Sequence, residues 1–377
     1  MNLIENIKKS NLVKNIKKTL KQTSLFSISD KMVRPYELFR WFVERRIFFR
    51  EARAYFKNDK NLPGSFKDYK SAFWKHRVTY SEYMDRYEYW KLDEKQRNEF
   101  ISRSEMQCIY RKLGDLNVMR VFYNKVSFLT QFHQFIHRKW IVVKESSFDD
   151  FKNMIEATDC IAKPIEGTAG QGIYKISAKD VDDWEDLYKK CINDNILLEE
   201  CVKSDEELKA FHPNSLNTIR VVTVSNGDRF VVFGALFRMG AHGNVVDNTH
   251  AGGVFAPINV ETGTIDIEAV DSFGNHYRCH PDTQKQIVGF QIPHWNEIIE
   301  TCRKASTTIP NIRFAGWDVC VTKDGMIEMI EGNHAPDFDG GMQAPLKIGV
   351  KKQIQQTIID VLGVDPIPYI SVWKKNK

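Results

Sequence analysis

The residues best placed to do chemistry lie in Phe314-Ala-Gly-Trp-Asp-Val-Cys-Val-Thr-Lys-Asp-Gly-Met-Ile-Glu-Met-Ile-Glu-Gly-Asn333. Two alternating runs, Gly316 to Thr322 and Met326 to Asn333, flank Asp324-Gly325, and a two-residue Asp-Gly loop between alternating runs predicts a β-hairpin. With that loop, paired residue numbers sum to 649, so Asp318 lies opposite Glu331. Asn333 follows Glu331 on the same face because strand side chains repeat every two residues. Glu328 is then expected on the other face. Two carboxylates and an amide, without sulfur or imidazole, suit Mg²⁺ or Mn²⁺ accompanying phosphates rather than Zn²⁺. An ordinary solvated hairpin would read the same way.

A second segment, Asp159-Cys-Ile-Ala-Lys-Pro-Ile-Glu-Gly-Thr-Ala-Gly-Gln-Gly-Ile-Tyr-Lys-Ile176, places Lys163 on an apolar strand that runs into a loop containing Gly167, Gly170 and Gly172. A second strand begins at Ile173. Glycines let backbone N–H groups surround phosphate oxygens, although a flexible hairpin has the same spacing. The lysine precedes the glycines and a strand follows them, which excludes the Walker loop and the dinucleotide fingerprint. No His-Arg-Asp loop or Asp-Phe-Gly is present, which excludes a protein kinase.

In this order, Lys163 with its glycine loop, Leu197-Leu-Glu-Glu-Cys-Val202, Thr218-Ile-Arg-Val221, Asn248-Thr-His-Ala-Gly-Gly253 and Asp318 with Glu331-Gly-Asn333 resemble the ATP-grasp superfamily of carboxylate–amine ligases. The likeness runs from about Asn124 to Gln343. It points to the alpha-L-glutamate-ligase-like branch and, within it, to the sugar-transfer-associated proteins found with bacterial surface-polysaccharide genes. The resemblance implies an α+β fold in which two α+β subdomains clasp ATP.

It also implies roles. Lys125, in Asn124-Lys125, is the first ATP-contacting lysine, unless it is a solvated surface residue; the family's Asp is Asn here. Lys163 is the second and meets the α-phosphate. Gly167, Thr168, Ala169, Gly170, Gln171 and Gly172 form the phosphate-covering loop. Glu199, Glu200, Cys201 and Val202 form the hinge that reads adenine and ribose. Arg220, within Ile219, Val221 and Val222, needs an anionic partner, either phosphate or a structural carboxylate. Asn248, His250, Gly252 and Gly253 position phosphate and the incoming acid. Asp318, Glu331 and Asn333 hold the metal.

Two departures stand out. Val246-Asp247 replaces the arginine that glutamate ligases carry two residues before the Asn, and Thr218 replaces the acid before Ile-Arg. Arg238 is a candidate to supply the missing cation.

Such a site activates a carboxylate as an acyl phosphate, which an amine then attacks to give an amide, ADP and phosphate. Electrostatic neutralisation of the phosphates supplies the catalysis. No protein nucleophile is required. His250 and His334 are placed to take the amine proton or simply to cap loops. The expected substrates are an acid and an amine, the acid plausibly a uronic or other acidic group on a nucleotide- or lipid-linked surface-polysaccharide precursor. The alternatives are a phosphotransferase on the same fold and a non-catalytic nucleotide-binding partner of glycosyltransferases.

Composition sets the frame for these elements: 377 residues, 42% hydrophobic and 27% charged, describe a globular chain. Seven cysteines without CxxC spacing read as reduced core residues of a cytosolic protein. No apolar stretch is long enough to span a membrane, and no signal peptide is expected. The net charge of +5 hides an asymmetry: residues 1–120 hold 27 Lys/Arg against 15 Asp/Glu, the remainder 27 against 34. The first third therefore reads as a basic, mainly helical module able to lie on anionic lipid at the inner face of the plasma membrane or to hold an anionic precursor. No specific nucleic-acid binding is expected.

The remaining divisions are a lid subdomain at 121–202, a catalytic and metal-binding subdomain at 203–365 and a tail at 366–377. Helices are expected at Tyr123 to Arg138, Phe148 to Ala157, Ser177 to Asn193, Pro281 to Thr307 and Lys347 to Leu362.

Overall fold

A computed structural model describes residues 49–50, 52–58, 62–166, 172–241, 253–271, 274–336, 343 and 348–366. The chain divides into two units, Met1–Ser71 with Val372–Lys377, and Ala72–Ser371. In the first, residues 52–58 are helical and Phe49 packs edge-on to Phe66 and Tyr69 at 6.2 and 6.1 Å.

The second unit opens with helices and, among the described residues of 72–120, contains no strand. Its first long helix, α1 (Arg103–Leu113), begins at a capping box in which Ser102 accepts from Glu105 N and the Glu105 carboxylate accepts from Ser102 N. Next come α2 (Leu116–Tyr123) and α3 (Lys125–Gln131). The helix expected at Tyr123 to Arg138 starts later and ends sooner, as α3. The chain breaks at Asn124, whose extended backbone (φ −98°, ψ 112°) ends α2 and whose side chain caps α3 by accepting from Ser127 N at 2.9 Å. The break brings Lys125 N onto Ile165 O at 3.3 Å, against the lid.

The lid sheet contains β1 (Trp140–Val142), β2 (Cys160–Pro164), β3 (Tyr174–Ile176) and β4 (Ile196–Glu200) in the antiparallel order β1-β4-β2-β3. Helices α4 (Phe148–Ala157) and α5 (Trp184–Asn193) cover one face. Phe151, Ile155 and Cys191 pack there on Cys160, Ala162, Ile196 and Leu198. Each large apolar side chain so buried contributes about 1.5–3 kcal/mol. Strand alternation must then send Ile161, Lys163, Leu197 and Glu199 to the other face.

The larger sheet is also antiparallel, in the order β11-β10-β5-β6-β7-β8-β9: β5 (Thr218–Ser225), β6 (Phe230–Met239), β7 (Val254–Ile258), β8 (Ala269–Val270), β9 (His276–Tyr277), β10 (Phe314–Val321) and β11 (Ile327–Asn333). On one face Ile219, Val221, Phe237, Trp317, Val319 and Met329 pack with Ile298, Cys302 and Ala305 of α6 (Trp295–Ala305). This helix is much shorter than the expected Pro281 to Thr307. Pro293 and a left-handed His294 (φ 55°) fix its start, and the chain before it is irregular. On the other face Val222, Val224 and Phe314 are covered by α1 and α7 (Lys351–Leu362). Beyond that cover, the same face carries charge.

Candidate active site

Across β11, β10 and β5, Glu331, Asp318 and Arg220 stand side by side in register. Arg238, on β6, pairs with Thr218. Asp318 is 2% exposed. Its carboxylate accepts from Arg220 Nε, from Arg220 Nη2 at 2.6 Å and from Arg238 Nη1 at 3.1 Å. Burial alone would raise the Asp318 pKa, but Arg220 and Arg238 outweigh it and hold it at about 2. Glu331 keeps 53% of its side chain exposed and approaches Arg220 Nη2 at 4.0 Å. Its pKa moves upward, from desolvation first and the adjacent Asp318 charge second. Asn333 donates Nδ2 to Glu331 Oε1 at 3.3 Å. Gly332, between the two proposed ligands, cannot be larger, because an added Cβ would lie 2.7 Å from the Phe128 ring.

The register at Asp318 is the expected one, but it arises differently. The turn is three residues long: Thr322 N bonds Met326 O at 2.9 Å around Lys323, Asp324 and a left-handed Gly325 (φ 77°). Pairs near the turn therefore sum to 648, as in Val319 with Met329 and Cys320 with Glu328. A bulge between Asp318 and Val319, with Ile330 as the extra residue, restores 649 at Asp318 and Glu331. Because of that bulge, Glu328 pairs with Cys320, two residues from Asp318, rather than turning to the opposite face. Arg138 and the His137 N–H, not alternation, hold Glu328 away from Asp318 and Glu331.

Above this row, Lys163 forms an ion pair with Glu199 Oε2. Glu199, 3% exposed, also accepts from Arg138 Nη2 at 2.8 Å. Burial opposes its ionisation, yet Arg138 and then Lys163 hold its pKa at about 2. Lys125 donates to Pro164 O at 2.8 Å. Its pKa is lowered, by burial first, with Glu331 opposing and Lys163 adding to the shift. A cleft is lined by Lys125, Lys163 and Glu199 on one side and by Glu331, Asn333 and His334 on the other. Burial lowers the His334 pKa, which keeps the ring neutral near pH 7.

At the end of β4, the N–H groups of Glu200 and Cys201 already donate to Lys139 O and Asp159 O, both at 2.9 Å. Those two donors are therefore engaged within the sheet, and Val202 is the first residue beyond them. The Glu200 carboxylate accepts from Lys139 N at 3.2 Å, and burial pushes the Cys201 thiol up to about 11. Gly172 takes φ 73° beside Pro164, and Gly253 is buried at the foot of β7. Gly167, Thr168, Ala169, Gly170, Gln171, Asn248, His250 and Gly252 lie outside the described residues.

Sequence reasoning missed Arg138. It sits in a basic run, His137-Arg138-Lys139, with no periodic signal to mark it as buried.

These carboxylates give the fold an acid limit. Glu199 and Asp318 have native pKa values below their ordinary 4.5 and 3.8. Their stabilisation is complete above the ordinary carboxylate range and is lost as pH falls toward about 2, at about 2–3 kcal/mol apiece. Urea unfolding midpoints should therefore drop between pH 5 and pH 3. Glu199→Gln should show a shallower drop; equal slopes in both proteins would contradict the assignment.

No curated protein matches the chain. Among solved structures, the ATP-grasp ligase PsnB with minimal precursor, Mg and ADP is 16% identical at TM-score 0.38, covering 64% of this chain and 61% of that one. PsnB with precursor peptide PsnA2 and AMPPNP is 14% identical at TM-score 0.43, covering 67% and 63%. The chain thus spans less than two thirds of PsnB in both. D-alanyl-alanine synthetase A from Vibrio cholerae O1 biovar eltor is 12% identical at TM-score 0.39, covering 64% and 65%. The profile of one family, sugar-transfer associated ATP-grasp, matches residues 95–358, and the chain belongs to that family.

Proposed function

We propose that this protein is an ATP-dependent carboxylate–amine ligase. The observation that carries the reading is the opposition, across one cleft, of Lys125 and Lys163 to Glu331 and Asn333, with Asp318 and Arg220 beside Glu331 in the sheet. The paired lysines suit a polyphosphate. The lysines and Arg220 would draw charge from ATP as a substrate carboxylate attacks the γ-phosphorus, giving ADP and an acyl phosphate. An amine then displaces phosphate and forms the amide. Neutral His334, lining the cleft, is available to accept the amine proton.

The donor set fits a hard divalent cation. Glu331 turns a half-exposed carboxylate to the cleft and Asn333 adds an amide oxygen beside it, while Asp318 would join them by exchanging one of its arginine contacts for the ion. Asp318, Glu331 and Asn333 would hold Mg²⁺ or Mn²⁺, which when bound neutralises phosphate charge.

The family description supports an acid carried on a sugar, such as a uronic acid of a surface-polysaccharide precursor. Among the described residues no helix is long and apolar enough to cross a membrane. We assign peripheral contact with anionic lipid to the basic module at residues 1–120, whose composition alone supports that reading.

The test is an acid-by-amine screen for ADP formation. A ligase releases phosphate only when both substrates are present, and ¹⁸O passes from the substrate carboxylate into phosphate. Phosphate retained on an acceptor, without amine dependence, would identify a phosphotransferase instead.

A further inference from the structure

Arg138 is a buried charge with four side-chain hydrogen bonds. Its side chain is 3% exposed and lies between the two sheets. Nη1 donates to Glu328 Oε1 at 2.5 Å and to Met329 O at 2.8 Å, while Nη2 donates to Glu199 Oε1 at 2.8 Å and to Ile330 O at 3.3 Å. Glu328 is 1% exposed and also accepts from His137 N at 2.8 Å. Glu199 in turn holds Lys163. Three charges, Arg138, Glu199 and Glu328, are thus shut inside the protein, and Lys163, 16% exposed, joins them at the wall of the cleft. An apolar cluster of the same volume would join the sheets with no greater free-energy cost, so stability does not account for the arrangement.

The carbonyl partners show what it does. Met329 borders the bulge, and Ile330 is the residue whose insertion moves the register from 648 to 649. Without that insertion Asp318 would face Ile330, and Glu331 would point away. Both carbonyls at this irregularity accept from one guanidinium, whose planar fork also holds the carboxylate that orients Lys163.

We propose that Arg138 is a positioning residue that sets the metal-binding carboxylate Glu331 and the phosphate-binding lysine Lys163 together, so that neither half of the site is in place without the other. This rests on the ligase reading of the cleft. Arg138 touches no substrate. It acts through the bulge on one side and through Glu199 on the other. Lysine cannot substitute, because a single ammonium cannot reach two carboxylates and two carbonyls in a fixed plane.

Calorimetry of a non-hydrolysable ATP analogue, titrated over a range of MgCl₂ and again in EDTA, tests the idea alongside thermal melts. If the wild-type chain shows no magnesium-dependent uptake, the nucleotide reading fails and Arg138 is not at issue. If it does, Arg138→Lys should raise the half-saturating Mg²⁺ concentration about 10–100-fold and weaken analogue binding in EDTA as well. A folded Arg138→Lys protein with wild-type saturation in both titrations overturns the proposal.

Two further variants decide the matter if Arg138→Lys does not fold. Glu328→Gln loosens the bulge side and should shift the Mg²⁺ dependence more than binding in EDTA. Glu199→Gln loosens the lysine side and should do the reverse. A purely structural role predicts that both variants lower the melting temperature and leave the two titrations shifted in parallel; that outcome also overturns the proposal.

Discussion

Glu331→Gln is expected to lower ATP turnover by about 10³-fold while the melting temperature stays within a few degrees of wild type. The two effects separate because of how Glu331 is held. About half of its side chain faces the cleft, so packing loses little. Its pKa is raised in the folded chain, by desolvation and then by Asp318. A carboxylate whose pKa rises on folding is carried ionised at a cost above its ordinary range, so at pH 7 replacement by a neutral amide leaves stability unchanged or slightly higher. What the variant loses is the charge that faces the phosphates. A coupled ADP-release assay at saturating Mg²⁺, with scanning calorimetry, checks both halves. Turnover above a tenth of wild type would remove Glu331 from the metal site.

The parts of this site that could be read from sequence are those fixed by strand alternation. Lys163 and Glu199 meet because Cys160, Ala162, Ile196 and Leu198 must face α4 and α5, which turns the intervening residues to the cleft. Asp318 and Glu331 pair as the hairpin predicts, yet only because a longer turn and a bulge displace the register by one residue in opposite senses. Neither irregularity has a sequence marker of its own. The Asp-Gly pair is compatible with two- and three-residue loops, and Ile330 is an ordinary strand residue. The same cancellation misplaced Glu328, since alternation counts residues and a bulge adds one.

Other features depended on contacts remote in sequence. Asn124 interrupts an apolar helical pattern that would otherwise run on, and its cap is coupled to Ile165 across the lid. Arg138 is buried by Glu199 and Glu328, which lie 61 and 190 residues away. Local pattern describes a surface arginine there, because its partners are assembled only when both sheets exist. The Arg220–Asp318–Arg238 group is an intermediate case. An arginine inside an apolar strand announces a buried anionic partner, but that the partner is Asp318 follows from the β5–β10 pairing, which joins residues 98 apart. Arg238 could be assigned only after the β5–β6 register was known.

That group makes the second large effect different in kind from the first. Asp318→Asn is expected to abolish turnover and also to destabilise the fold by about 3–5 kcal/mol. Asp318 is almost wholly buried and accepts from both Arg220 and Arg238. An amide presents those guanidiniums with one acceptor atom and no charge. The cost is therefore that of unbalanced buried cations, not of the missing metal ligand. Arg220→Met combined with Asp318→Leu should recover part of this stability, since it removes one of the two cations together with the carboxylate, while Arg238 still loses its Asp318 acceptor. Turnover should not recover, because neither a phosphate-facing guanidinium nor a metal-binding carboxylate remains. Urea denaturation of wild type, single and double variants separates the two contributions. A single Asp318→Asn protein as stable as wild type would show that the arginines do not depend on this carboxylate, and the ion-pair account of the site would have to be abandoned.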